Sequence, residues 1–395
     1  MNKPLKIRLH VLSPIHIGCD DVYEPTSFVI DENKKKLIEF DPMDFINALN
    51  DKQRAEFSRV CSGDNLLSIM KFIKNNSMKI KGREVDIASE LIAHYKKVLG
   101  MSSFDKNTVI NQFTMNKTAY NPQTNLPYIP GTSLKGSMRT AYLSALSVVT
   151  HTKDFWKSCG LISGQDLENS QFTYNQIGKK QVAKKLEQKL LNGKFDTDPF
   201  RMVKVSDLLP VGEVKTKIVY AVNRKKVKSD RATLAEKGGV YQIFETIQPG
   251  SVFEGTININ MPEKTAGISL PITADSLKSS LNKFYIPLLE TEIKALKGMD
   301  ISVPIINDIN AKFKGQINKT VFVVSIGRHS GAEAVTIEGN RYIKIMQGRD
   351  KGGRKRYEFK DHTTTLWLAS DSPRPQNNNG LLPFGWAAIE IIGEV

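Results

Sequence analysis

Only three cysteines occur in the 395-residue chain, Cys19, Cys61 and Cys159. Their odd number, wide spacing and lack of a C-x-x-C pair exclude a disulfide framework and give no zinc-ligand spacing, so plain reduced thiols are expected. No run approaches the roughly 18 consecutive apolar residues of a membrane span. The opening Met1-Asn-Lys-Pro-Leu-Lys-Ile-Arg-Leu9 also lacks the apolar core of a secretory signal, so a cytoplasmic location is expected. Acidic residues are in deficit: 41 Asp and Glu stand against 56 Lys and Arg, a formal net charge of +15. That surplus points to a polyanionic partner, nucleic acid first and an anionic membrane surface behind it.

A nucleotide-hydrolysing P-loop is missing as well. Gly131 and Gly136 have the glycine offset of G-x-x-x-x-G-K-[ST], but Ser137 stands where the phosphate-gripping lysine is needed and Met138 where a magnesium-binding hydroxyl is needed. What the segment Tyr128-Ile-Pro-Gly-Thr-Ser-Leu-Lys-Gly-Ser-Met-Arg139 does offer is a glycine turn running into a helix. Leu134, Met138, Ala141, Ala145 and Val148 recur at helical spacing, while Lys135 and Arg139 share another face. Thr132 or Ser133 can cap the start, and the free amides of the first turn favour an anion such as an RNA phosphate.

Length suggests two domains, with a boundary near 261–272 where Met261-Pro-Glu-Lys-Thr-Ala-Gly267 interrupts the pattern. Residues 1–260 form the expected first unit, with a helical insertion over about 42–105, and residues 261–395 the second. Leu5–Leu12 alternates with period two, and Phe28–Ile30 with Leu37–Phe40 reads as a hairpin. A lysine-rich helix is expected near 179–192. Strands are expected at Met202–Ser206, Lys217–Asn223, Tyr241–Ile247 and Ser251–Ile259. The second unit should open with a helix over about 274–297, its stripe Leu277, Leu281, Phe284 and Leu288, kinked or restarted at Pro287. Strands at Val321–Ile326, Tyr342–Ile345 and Trp386–Ile392 complete an α+β reading.

Three motifs together, Leu12-Ser-Pro-Ile-His-Ile-Gly18, Ile129–Arg139 and Pro249-Gly-Ser-Val-Phe253, resemble the RAMP superfamily of CRISPR-associated proteins. Tyr23-Glu-Pro25 and Pro383-Phe-Gly-Trp386 bring the likeness nearest to the large RAMP subunit at the 3′-guide end of type III-A (Csm) effector complexes. The resemblance implies two ferredoxin-like, RRM-like domains and crRNA held without reading of its sequence. It also implies contact with neighbouring RAMP backbone and small subunits, target RNA nearby, host trimming nucleases as further partners, and no metal or cofactor. On the family's pattern Gly131, Ser133, Lys135, Gly136 and Arg139 lie against RNA backbone.

Other residues carry further expectations. His16, in a loop after the first strand, is an RNA contact or, in an alternative reading, the general base of a metal-independent endoribonuclease that processes precursor crRNA. Asp20 and Asp21 read as a solvated turn: a target-slicing relative has its Asp just before the apolar strand, where this chain has Pro25-Thr-Ser27. The basic runs Asn223–Arg231, which includes Arg224, Lys225 and Lys226, and Gly348–Tyr357 read as hairpin tips. The first is the expected thumb over the crRNA. Arg328 and His329, in Ile326-Gly-Arg-His-Ser-Gly331, are candidates to grip a phosphate or stack on a base, whereas Trp386 is expected in the core.

Overall fold

The computed structural model describes residues 3–63, 65–77, 80–101, 113–147, 179–227, 240–341, 343–349 and 352–395. Cys159, the polar stretch 151–178 and residues 228–231 of the first basic run lie outside them.

Two mixed α/β layers are built on two large sheets. In the first, the opening strand Leu5–Val11 sits between Val252–Ile259 and the closing strand Trp386–Glu394, both antiparallel to it, and Val321–Ser325 follows on the far side. Leu209–Pro210 and Val203–Val205 pair along the outer side of Val252–Ile259. The second sheet runs in the order Gly18–Val22, Met115–Thr118, Gln242–Ile247, Thr216–Lys225, Arg83–Ile87, Lys36–Glu39, Phe28–Asp31. Thr365–Ser370 also pairs with Thr216–Lys225, and Leu382–Pro383 with Thr365–Ser370. Each sheet therefore draws strands from both sides of residue 260, and the linear division of the chain is not a division between sheets. The physical reason is in the first sheet: Leu5 faces Glu394, so the chain's two ends lie side by side in one hydrogen-bonded ladder.

The glycine-turn helix is Gly131–Ser147, and its stripe of Leu134, Met138 and Ala141 is buried against the first sheet. Ala274–Gly298 packs beside it through Leu277, Leu281, Phe284 and Leu289. The helix does not restart at Pro287. The helix runs through it, because Leu289, Ile293 and Leu296 beyond the proline are buried too, and burial at about 1.5–3 kcal/mol per large side chain offsets one missing hydrogen bond.

The helical block contains Pro42–Ala48, Asp51–Ser62, Leu66–Asn76 and Leu91–Leu99, but also the strand Arg83–Ile87. That strand was legible as alternation, since Val85 and Ile87 turn inward between exposed Glu84 and Asp86. Phe40, Phe45, Phe57 and Phe72 form a separate aromatic cluster under these helices. The strands on either side of the second basic run form a hairpin as expected, Ile343–Arg349 pairing antiparallel with Lys355–Lys360, while residues 350 and 351 lie outside the described residues. Strands Thr216–Lys225 and Gln242–Ile247 likewise pair antiparallel, on either side of the first run. Among the described residues no helix is long and apolar enough to cross a membrane.

Candidate nucleic-acid interface

Motifs far apart in sequence meet at one seam between the sheets. The Gly385 amide donates to Pro14 O (3.0 Å), and the Ile326 amide donates to Gly385 O (2.8 Å). The Trp386 amide donates to Ser13 Oγ (2.9 Å), and the Arg328 amide donates to His16 O (2.9 Å). Gly327 has φ +83° and passes so near that a Cβ there would lie 2.6 Å from His16 O, so only glycine serves. Ser137 of the glycine-turn helix joins the same seam by donating to Ser325 O (2.7 Å). Trp386 is core, as expected, with its indole N–H donating to Glu292 Oε1 (2.7 Å).

His16 is not on the surface. Its ring is 1% exposed, bonded through Nδ1 to Glu245 O (2.8 Å) and packed 4.4 Å from the Phe244 ring. Burial lowers its pKa and favours the neutral imidazole. The ring, expected as an RNA contact, is walled in by Phe244 and the Gly327 loop.

His329 lies on the other side of Phe244 at 5.1 Å, stacked on Trp367 at 4.6 Å, with Nε2 3.0 Å from Gln242 Oε1. Burial, then the neighbouring Arg328 cation, pushes its pKa down to about 4, so it too is neutral near pH 7. Arg328 is exposed, with its guanidinium 5.1 Å from the Phe244 ring centre and no ion pair among the described residues. Of this trio, Arg328 is placed to meet a ligand.

On the glycine-turn helix the first amide is already used: Gly131 N–H donates to Asp207 Oδ1 (2.8 Å). A Cβ at Gly131 would come within 2.3 Å of Val205 O, so this glycine serves packing against the 203–208 segment. Ser133 donates its amide to Pro130 O (2.9 Å). Arg139 is likewise held by the protein. Its Nε and Nη2 reach Glu187 Oε2 (3.0 and 2.7 Å), Nη1 reaches Asp198 Oδ2 (2.8 Å), and the guanidinium lies 5.2 Å from the Phe200 ring. Gly131 and Arg139, expected as phosphate contacts, are thus both engaged by carboxylates of the chain.

Lys135 and Gly136 differ from them. Lys135 has no ion pair among the described residues, and its pKa is lowered by partial burial and then by the adjacent Lys204 cation. Gly136 is exposed with open space around a notional Cβ. At the base of the first basic run, Lys226 Nζ binds Glu333 Oε1 (2.8 Å) and Arg224 Nη2 donates to Pro375 O (3.1 Å), while Lys225 is half-buried on the same strand. Lys226 and the Thr363 amide and hydroxyl outweigh burial to hold Glu333 ionised, with a pKa of about 2.

Two features escaped sequence reasoning. Lys204 sits beside Lys135 only because Val203–Val205 crosses the start of the helix. Glu245 is fully buried in mid-strand, accepting from Tyr120 OH, Arg83 Nη1 (2.9 Å) and the Thr118 amide (3.3 Å). A charged residue inside the apolar run Ile243-Phe-Glu-Thr-Ile247 was the available signal for that network. Asp20 and Asp21, expected in a turn, lie instead in the irregular edge strand Gly18–Val22, both exposed; Asp20 has φ +58°, and Asp21 pairs with Lys117 at 3.4 Å.

A basic patch at Lys135 and Lys204, with the Asp198 carboxylate nearby, lies beside a glycine helix on two sheets stitched through glycine loops. Residues 8–291 match the RAMP superfamily, and the chain belongs to it. Among curated proteins it is similar to the CRISPR system Cms protein Csm5 of Methanocaldococcus jannaschii, 22% identical over 406 residues that span 98% of this chain and 89% of the relative. Its fold is similar to a chain in a cryo-EM structure of a Csm–crRNA–target RNA ternary complex of a type III-A CRISPR–Cas system, with TM-score 0.60, 18% identity, and 98% and 100% of the two chains covered. It is also similar to the crystal structure of T. onnurineus Csm5, with TM-score 0.55, 17% identity, and coverage of 96% and 99%.

Proposed function

We propose that this protein is a non-catalytic crRNA-binding subunit of a type III-A (Csm) effector complex, capping the filament at the 3′ end of the guide and supporting its 3′ maturation. Neighbouring RAMP backbone and small subunits are its protein partners and target RNA lies nearby. We read the two sheets as RRM-like halves laced together by the seam. Membership of the RAMP superfamily and full-length likeness to Csm5 proteins support the assignment.

The observation that carries the RNA contact is the face of Lys135, Gly136 and Lys204. A glycine inside a helix costs about 0.5–1 kcal/mol against alanine. Gly136 meets nothing of its own chain that would require it. A bare helical surface next to Lys135, which has Lys204 nearby and no ion pair among the described residues, suits close approach of a sugar-phosphate backbone. The buried His16 supports the non-catalytic reading over the endoribonuclease one, since a general base must come within hydrogen-bond reach of the proton that it takes.

The test is filter binding of crRNA to wild type and to the Lys135→Ala/Lys204→Ala variant across a salt series. Affinity should fall similarly for every RNA sequence, and the log–log salt slope should shrink by roughly 1.4, from two lost single-strand phosphate contacts. Unchanged affinity and slope would remove these residues from the interface. Repeat RNA incubated with the protein in EDTA should stay intact; site-specific cuts lost in His16→Ala would instead establish the nuclease.

A further inference from the structure

A groove of about 650 Å³ runs between the first half of helix Ala274–Gly298 and the turn that leads into strand Val321–Ser325. It is lined by Lys278, Lys283 and Lys319, by Ser279 and Asn318, and by the apolar Ile286 and Pro287. Lys283 and Lys319 are exposed and have no carboxylate partner among the described residues. Lys278 has Asp275 at 3.6 Å, but that carboxylate is 96% exposed and its attraction is screened by water. Three lysines against one aspartate leave the lining cationic and rich in hydrogen-bond donors.

The backbone edge beside the groove is closed to a partner strand. Asn282 accepts from the Val323 amide (2.7 Å) and donates to Val321 O (3.1 Å), filling the place that an added strand would take. Recognition here must go through side chains. Among the described residues no arginine lines the groove and the one aromatic there, Phe322, is buried, so they provide neither bidentate phosphate binding nor base stacking.

We propose that this groove docks an acidic segment of another protein, its carboxylates on Lys278, Lys283 and Lys319 and an aliphatic side chain on Ile286 and Pro287. The proposal does not rest on the RNA reading above. Fluorescence anisotropy of a labelled Glu-Leu-Glu-Glu-Leu-Glu peptide, titrated with the full-length protein at low ionic strength, tests it against Lys283→Glu/Lys319→Glu. Peptide affinity should fall about tenfold in the variant. Its thermal midpoint and crRNA affinity should not change, and oligouridine should not displace the peptide. No binding to wild type, or equal binding to both proteins, overturns the proposal. So does displacement by oligouridine, which would make the groove an RNA channel.

Discussion

Replacing Arg139 by alanine separates two roles that the amino-acid pattern alone merges. The side chain, 27% exposed, closes ion pairs with Glu187 and Asp198 and lies over Phe200, tying the glycine-turn helix to helix Lys179–Leu190 and to the turn at 198–200. Each partly exposed pair contributes about 0.5–1 kcal/mol, and the cation–π contact on Phe200 a similar amount. Alanine also leaves two carboxylates facing each other, so the loss should be about 2 kcal/mol in all. Urea denaturation should show this as a lower midpoint at unchanged m-value, while crRNA affinity of the folded protein stays within about twofold. Lys135→Ala should do the reverse, weakening RNA binding with stability held to within about 0.5 kcal/mol. If Arg139→Ala lost RNA affinity as Lys135→Ala does and kept its urea midpoint, assigning Arg139 to internal packing would be wrong.

Other substitutions follow from the same geometry. Gly131→Ala should unfold or severely destabilise the protein, because the new Cβ meets backbone at 2.3 Å, whereas Gly136→Ala should raise stability by up to about 1 kcal/mol and weaken crRNA binding; calorimetry with filter binding reads both. Asn282→Ala should cost about 2–4 kcal/mol in denaturant titration, since the side chain is 4% exposed and its loss leaves the Val323 amide without that acceptor. His329 has a folded pKa of about 4, below its unfolded value, so the unfolded chain binds the extra proton first and stability falls as pH drops from about 6.5 towards about 4. His329→Gln should flatten that part of the stability–pH curve, and an unchanged slope would mean that the ring is not the group responsible.

The sequence by itself determined most of the local structure. Alternation marked the strands, three-and-four spacing marked the stripe of Leu134, Met138 and Ala141, and the positive charge pointed to a polyanion. The glycine motifs also carried the family, because close backbone approaches such as that of Gly327 to His16 admit no other residue. Which cations are available to a ligand was decided only in three dimensions. Lys135 and Arg139 share a helical face, yet Arg139 is neutralised by residues 48 and 59 positions away, and Lys135 gains Lys204 from a strand that pairs elsewhere in the sheet. Burial of His16 and the sharing of each sheet across residue 260 were hidden for the same reason. Periodicity records which side of an element faces the core, but electrostatic partners and strand neighbours are set by long-range packing.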